Sequence, residues 1–341
     1  MHTVRTVTGP LDPSTVTGPV LPHEHLALDL RRDHDPEPTL DARHTASVTA
    51  ELAALREEFG LSLVIDQTCR GMGRDPRALT AVHAGSGVPV VAATGWYYEP
   101  FHPREVGTAD VGELTATLVR DVEEGLDGTD VRPGLIGEVG SHGQRPEGAE
   151  RRVLAAAARA AVRTGLPVAT HAHLGVGGPG QLDLLVAEGL APHRVALGHQ
   201  DLLDNSSVHR HLAAQGAYVA FDTVGKNGYQ SDHTRLRLLL ALIEAGYADR
   251  ALLSCDISRH AYLTDEGGTG YGHLLRAFLP RLRAAGADDD LVDLLTRRNP
   301  LRFLTGADPG PPTGQTEPTG QTEPTGQTRT AAPADGGERT R

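Results

Sequence analysis

Hydrophobic positions between residues 20 and 306 fall into two alternating kinds of segment. Short apolar or β-branched runs appear at VLPHEH (20–25), LSLVID (61–66), VPVVAAT (88–94) and GLIGEV (134–139). Four more follow at LPVATH (166–171), RVALGH (194–199), AYVAFD (217–222) and ALLSCD (251–256). Each is followed by an Ala/Leu/Arg/Glu-rich stretch with helical spacing, over 41–59, 75–86, 111–126, 147–164, 179–189, 204–215, 232–246 and 270–284. Strand–helix alternation implies parallel strands joined by crossover helices. Eight such units predict an α/β chain closed into a (β/α)8 TIM barrel rather than an open doubly wound sheet. No GxGxxG follows the first run, which weakens the dinucleotide-binding version of the open sheet.

The pattern stops before the C-terminus. From 313 the chain repeats TGQTEP over 313–318 and 319–324, then in part over 325–328. Such Pro/Gly/Thr/Gln sequence buries too little apolar surface to offset its ordering entropy. The expected organisation is therefore a barrel over 1–306 and a disordered tail over 307–341. The net charge of −12 argues against nucleic acid or an anionic membrane surface as main partner. No run of 18 apolar residues suggests a membrane span, and the first residues lack the apolar core of a signal peptide. Two cysteines, Cys69 and Cys255, form no CxxC and cannot build a disulfide scaffold, so a cytoplasmic setting is expected. The expected partners are a small-molecule substrate and a second copy of the chain in a homodimer.

In a barrel of this kind chemistry sits at the C-terminal ends of the strands. Six side chains able to bind a metal fall at five of those ends: His23 and His25, Glu138, His171, His199 and Asp256. Alternation along a strand puts His23 and His25 on one face and Glu24 on the other. A lone HxH is more often packing or surface than a metal site. Four histidines and two carboxylates on one rim are too many polar groups to bury without a shared partner, and a divalent cation, zinc first, suits that donor set.

The segments GPVLPHEHL, GMGRDP, ATGWYY, IGEVG, THAH, LGHQD, FDTVGK, LLSCD and NPLRFL resemble the phosphotriesterase family of amidohydrolase-type barrels over about residues 5–305. The resemblance implies that His23, His25 and Asp256 bind a buried metal, and that His171 and His199 bind a more exposed one. It places the bridging ligand at the end of strand four. Organophosphate-hydrolysing members bridge with a carboxylated lysine there. This chain has Glu138 at that place, and its only lysine, Lys226, is elsewhere. It also reads Phe221-Asp222-Thr223 where those enzymes carry a proton-relaying histidine. The sequence is thus similar to the phosphotriesterase-related branch, and native triesterase activity is not expected.

The expected cofactors are two divalent ions, about 3.5–4 Å apart, holding a bridging hydroxide whose pKa falls to roughly 7. Asp256 is the expected proton acceptor. Tyr97 and Tyr98, with Trp96, are expected to wall the substrate, and His142 and His173 are weaker candidates near the same rim. Cys255 is expected to point away as a small buried hydrophobe. Lys226 and Arg259 are expected to hold an anionic group of the substrate, although each could instead pair with a rim carboxylate. The resulting reading is a metal-dependent hydrolase of an ester, lactone or amide bond. Its alternatives are an N-acyl amino acid amidohydrolase and, in another class, a catalytically silent metal-binding barrel.

Overall fold

The computed structural model describes residues 3–309. Eight parallel strands surround a common axis: β1 (Val20–Glu24), β2 (Leu63–Asp66), β3 (Val90–Val91, continuing as Ala93–Thr94), β4 (Leu135–Ser141), β5 (Val168–Ala172), β6 (Val195–Leu197), β7 (Tyr218–Phe221) and β8 (Ala251–Leu253). Parallel ladders run without a break in direction from β1 to β3 and from β3 to β8. The seam between β1 and β8 has no regular ladder. It is closed by the Asp256 N–H donating to the His23 carbonyl at 3.2 Å and by side-chain bonds described below. The barrel is therefore the (β/α)8 fold expected, although several strands end two or three residues before the side chains that carry chemistry.

Seven helices follow the first seven strands: α1 (Thr45–Phe59), α2 (Pro76–Ser86), α3 (Val111–Glu124), α4 (Gly148–Thr164), α5 (Gly178–Ala187), α6 (Ser206–Ala214) and α7 (Asp232–Glu244). Four of these seven helices, α2, α3, α6 and α7, start with a side-chain cap. The Asp75 carboxylate accepts from the N–H groups of Arg77 and Ala78, and Asp110 forms a reciprocal capping box with Glu113. The eighth unit departs from the helix expected over 270–284. It opens with a π turn over Leu274–Phe278 before becoming helical as α8 (Leu279–Ala284). Further helical turns over Asp289–Asp293 and Asn299–Thr305 had no counterpart in the strand–helix count. The tail expected to be disordered lies outside the described residues from 310 on.

The inward faces of the strands form a small core of Val20, Leu63, Ile65, Val91, Leu135, Ala169, Ala196, Tyr218 and Leu252. Leu301, Phe303 and Leu304 close its lower end. The outward faces and the helices make a second, larger core. With the bottom plugged, polar side chains collect at the top.

Candidate metal centre

Plain alternation would not deliver every ligand to the mouth. On β1, Val20 packs inside the barrel and Leu21 outside, so His23 would turn outward. The register between β1 and β2 shifts, with Leu21 opposite Val64 but Glu24 opposite Asp66. One extra residue on β1 reverses the parity there. The same device recurs on β4, where Ile136 pairs with Val168 and Val139 with Thr170, around Glu138. β-Bulges of this kind re-aim side chains beside active sites. His199 is re-aimed differently, by left-handed backbone at φ 56°; Asp256 also takes a left-handed φ of 51°, although it already shares the inward parity of Leu252. Non-glycine residues hold that conformation only where their surroundings over-determine it. His171 and Asp256 follow regular alternation, after Ala169 and Leu252 respectively. Gly198 permits close approach of β6 to β5, since a Cβ there would lie 2.0 Å from the Thr170 carbonyl oxygen.

All six expected ligands are buried and converge. Glu138 Oε1 lies 2.7 Å from His171 Nδ1 and 2.9 Å from His199 Nε2, and those two nitrogens are 2.9 Å apart. Glu138 Oε2 lies 3.7 Å from both His23 Nε2 and His25 Nε2. Asp256 Oδ1 is 3.3 Å from His25 Nε2 and 4.0 Å from His23 Nε2. Glu138 thus stands between two groups of donors, one oxygen facing each. The second set of separations is close to the edge of about 3.3 Å in a tetrahedron with zinc–ligand bonds of 2.0–2.1 Å.

The hydrogen-bond inventory calls for a shared positive charge. Asp222 Oδ2 lies 2.7 Å from His23 Nδ1, and its Oδ1 lies 2.9 Å from His199 Nδ1. A carboxylate partner puts the ring proton on Nδ1 in each case. With its proton on Nδ1, His23 Nε2 is a buried lone pair with no hydrogen-bond partner among the described residues. His199 Nε2 is a second lone pair, aimed at Glu138 Oε1 and His171 Nδ1. Buried acceptors facing one another need a shared positive charge. The residues therefore fit a pair of divalent ions, one held by His23, His25, Glu138 and Asp256, the other by Glu138, His171 and His199.

Electrostatics express the same demand in protons: burial opposes a charge on His23, but Asp222 and Glu138 outweigh it and hold the imidazole well above its ordinary range, so a metal there would take the place of a proton. Burial opposes ionisation of Glu138, but the facing histidines His171 and His23 outweigh it and hold its carboxyl well below the ordinary range. Burial pushes His171 down to about 4, which leaves it neutral as a ligand must be. His199 is raised to about 10 because Asp222 overcomes the cost of burial. Asp256 is held low, burial being overcome by Lys226.

Sequence reasoning passed over the residues behind the ligands. Asp222 was noted only as standing beside a missing histidine, yet it joins His23 to His199. Its position at a strand end was the available signal. His25 Nδ1 lies 2.9 Å from Thr68 Oγ1, which in turn bonds Asp66 at 3.2 Å. Arg235, fully buried, donates to Asp201 at 2.7 Å and to the Lys226 carbonyl at 3.1 Å, and so ties down the loop after β7.

Above the cluster opens a cavity of about 430 Å3. Tyr97 and Tyr98 line it, and Tyr98 stacks on His171 at 5.0 Å between centroids. Trp96 does not join them: it is buried in the outer core. His173 lines the cavity, whereas His142 turns to Glu150 at 2.8 Å. Lys226 and Arg259 both reach the lining, but each is paired. Lys226 Nζ donates to Asp256 Oδ2 and to Ser258 Oγ, and Arg259 makes a two-pronged bond to Asp35 at 2.9 and 2.8 Å. Cys255 is buried away from the cavity.

A barrel with such a rim is the architecture of metal-dependent hydrolases. The chain matches the phosphotriesterase family over residues 2–304 and belongs to it. It is 40% identical over 290 residues to the phosphotriesterase homology protein of Escherichia coli (strain K12), covering 84% of this chain and 98% of that one. The crystal structure of that protein, complexed with phosphate in its active site, aligns with a TM-score of 0.82 at 39% identity over 85% of this chain and 99% of its own. N-acetyltaurine hydrolase of Rattus norvegicus is 29% identical over 343 residues, covering 89% of this chain and 97% of its own. A mutant of a phosphotriesterase-like lactonase from Deinococcus radiodurans aligns with a TM-score of 0.78 at 32% identity, covering 89% and 100%. Among the described residues no helix is long and apolar enough to cross a membrane.

Proposed function

We propose that this chain is a binuclear zinc hydrolase that cleaves an ester, lactone or amide bond in a small anionic substrate. The observation that carries the reading is Glu138, with one carboxylate oxygen toward His171 and His199 and the other toward His23 and His25. Bound divalent cations supply Lewis-acid polarisation and a nucleophile at neutral pH. The chain supplies the rest. Asp256 turns Oδ1 to the cluster and takes up the proton that the attacking oxygen loses, while Lys226 on Oδ2 keeps the carboxylate ionised beforehand. Asp222 fixes the tautomer and the tilt of His23 and His199. Tyr97 and Tyr98 shape the wall beside His171.

An anionic substrate is supported by Lys226 and Arg259, which line the cavity with Arg32; Arg259 can exchange Asp35 for a ligand group, and Lys226 can share its charge between Asp256 and one. Relatives that hydrolyse N-acetyltaurine and lactones point the same way for bond class. Protein loaded with zinc, cobalt or manganese, screened against lactones, N-acyl amino acids, N-acyl amino sulfonates and phosphoesters, tests the reading. Metal content should approach two ions per chain, and reconstitution should not depend on bicarbonate, because Glu138 needs no carbon dioxide to bridge. Full activity with one ion, or no metal-dependent turnover in any class, would overturn it.

A further inference from the structure

Glu24 sits between the two histidines of the His23-Glu24-His25 run and touches none of the other ligand side chains. It is completely buried, and no cation pairs with it among the described residues. Its carboxylate faces the β1–β8 seam. Oε1 accepts from the Ser254 hydroxyl at 2.8 Å and from the Cys255 N–H at 2.8 Å. Oε2 accepts from the Ile257 N–H at 2.9 Å. These donors flank Asp256 on both sides. The Ser254 hydroxyl also accepts from the His23 N–H at 3.1 Å, and the Asp256 N–H reaches the His23 carbonyl at 3.2 Å. Between those anchors Asp256 adopts φ 51°. A left-handed aspartate is strained and needs neighbours that leave it no alternative.

We propose that Glu24 is a positioning residue that holds the 254–257 turn in its left-handed form and thereby delivers the Asp256 carboxylate to His23 and His25. Three converging donors require an acceptor with two oxygens; an amide in its place would set an NH2 against an N–H. The inference rests on the metal-centre reading and adds an asymmetry to it. The site of His23, His25 and Asp256 depends on Glu24. The site of His171 and His199 hangs from β5, β6 and Asp222 and does not.

The full-length metal-free protein, titrated with Co2+ and followed by visible absorption, should bind two equivalents. In Glu24→Gln one step should weaken at least tenfold while the other stays within twofold. Hydrogen exchange of the metal-free variant should rise in a peptide spanning 253–258 and stay unchanged across 195–201. Ser254→Ala removes one of the three donors, and with it the acceptor of the His23 N–H, and should weaken the same step about threefold, which keeps the test open if Glu24→Gln does not fold. Equal weakening of both steps, exchange rising equally in both peptides, or unchanged binding in either variant would overturn the assignment. Wild-type protein that binds fewer than two equivalents would overturn the metal-centre reading, and this inference with it.

Discussion

At the floor of the cavity, four of the six candidate ligand side chains are backed by a carboxylate from another strand end: His23 and His199 by Asp222, His25 through Thr68 by Asp66, and Asp256 by Glu24 through the N–H groups of its neighbours Cys255 and Ile257. At the mouth, charged side chains meet across loops instead. Arg259 pairs with Asp35 and His260 with Glu37 at 3.2 Å, while Arg32 lies over the Phe101 ring at 4.1 Å. The floor pairs are buried and leave nothing for water to compete for. The mouth pairs are partly exposed and are worth about 0–1 kcal/mol each. The floor is thus built to keep one geometry, and the mouth can trade partners with a substrate at little cost.

The sharpest break in that comparison is at Glu138, shared by both halves of the floor. Glu138→Ala should lose at least one ion and cut kcat/KM by about 10³-fold or more, since the charge stabilisation at stake is several kcal/mol. Metal analysis alongside steady-state kinetics checks it; two retained ions with near-normal turnover would show that the bridge lies elsewhere. Asp222→Asn comes next. It keeps the shape but weakens two imidazole partners, and a loss of about 10–100-fold in metal affinity is expected. An unchanged affinity would mean that Asp222 only fills space.

How much of this was legible in the sequence follows from the same contrast. The rule that chemistry gathers at strand ends located His23, His25, Glu138, His171, His199 and Asp256 without reference to local backbone. The reason three of them face inward was not legible: bulges on β1 and β4 reverse an alternation that would point His23, His25 and Glu138 outward. Nothing in the residue types announces a bulge. Asp222 could have been found by the strand-end rule applied without exception. The Arg259–Asp35 pair joins residues 224 positions apart through two loops, and no periodicity reports such a meeting.

A test at the mouth sharpens the comparison at smaller scale. Arg259 stands clear of the ligand cluster, so Arg259→Ala should raise KM for an anionic substrate about tenfold and leave a neutral aryl ester nearly unchanged, the loss of one charge-assisted hydrogen bond. Lys226→Ala should do the same and also lower kcat on both substrates, because Lys226 neutralises Asp256. Equal losses on both substrates for Arg259→Ala would assign that residue to loop support alone.

The smallest effect is expected at Leu174, which lines the mouth on the loop after β5. Its side chain is 49% exposed, and its backbone lies at φ 52°. Half-burial of a leucine contributes about 1 kcal/mol, comparable with the roughly 1–2 kcal/mol that a left-handed non-glycine residue costs. A single substitution confounds the two, but a pair separates them. Leu174→Ala and Leu174→Asn both discard the apolar packing. Only asparagine tolerates the left-handed region well, through its short polar side chain. The Asn variant should therefore be more stable than the Ala variant by about 0.5–1 kcal/mol, read as the difference in urea midpoint at equal slope. If the two variants unfold at the same midpoint, the loop relaxes out of the left-handed conformation once the leucine is gone. Leu174 would then be the cause of the strain at the mouth, and the mouth would be softer still than its ion pairs suggest.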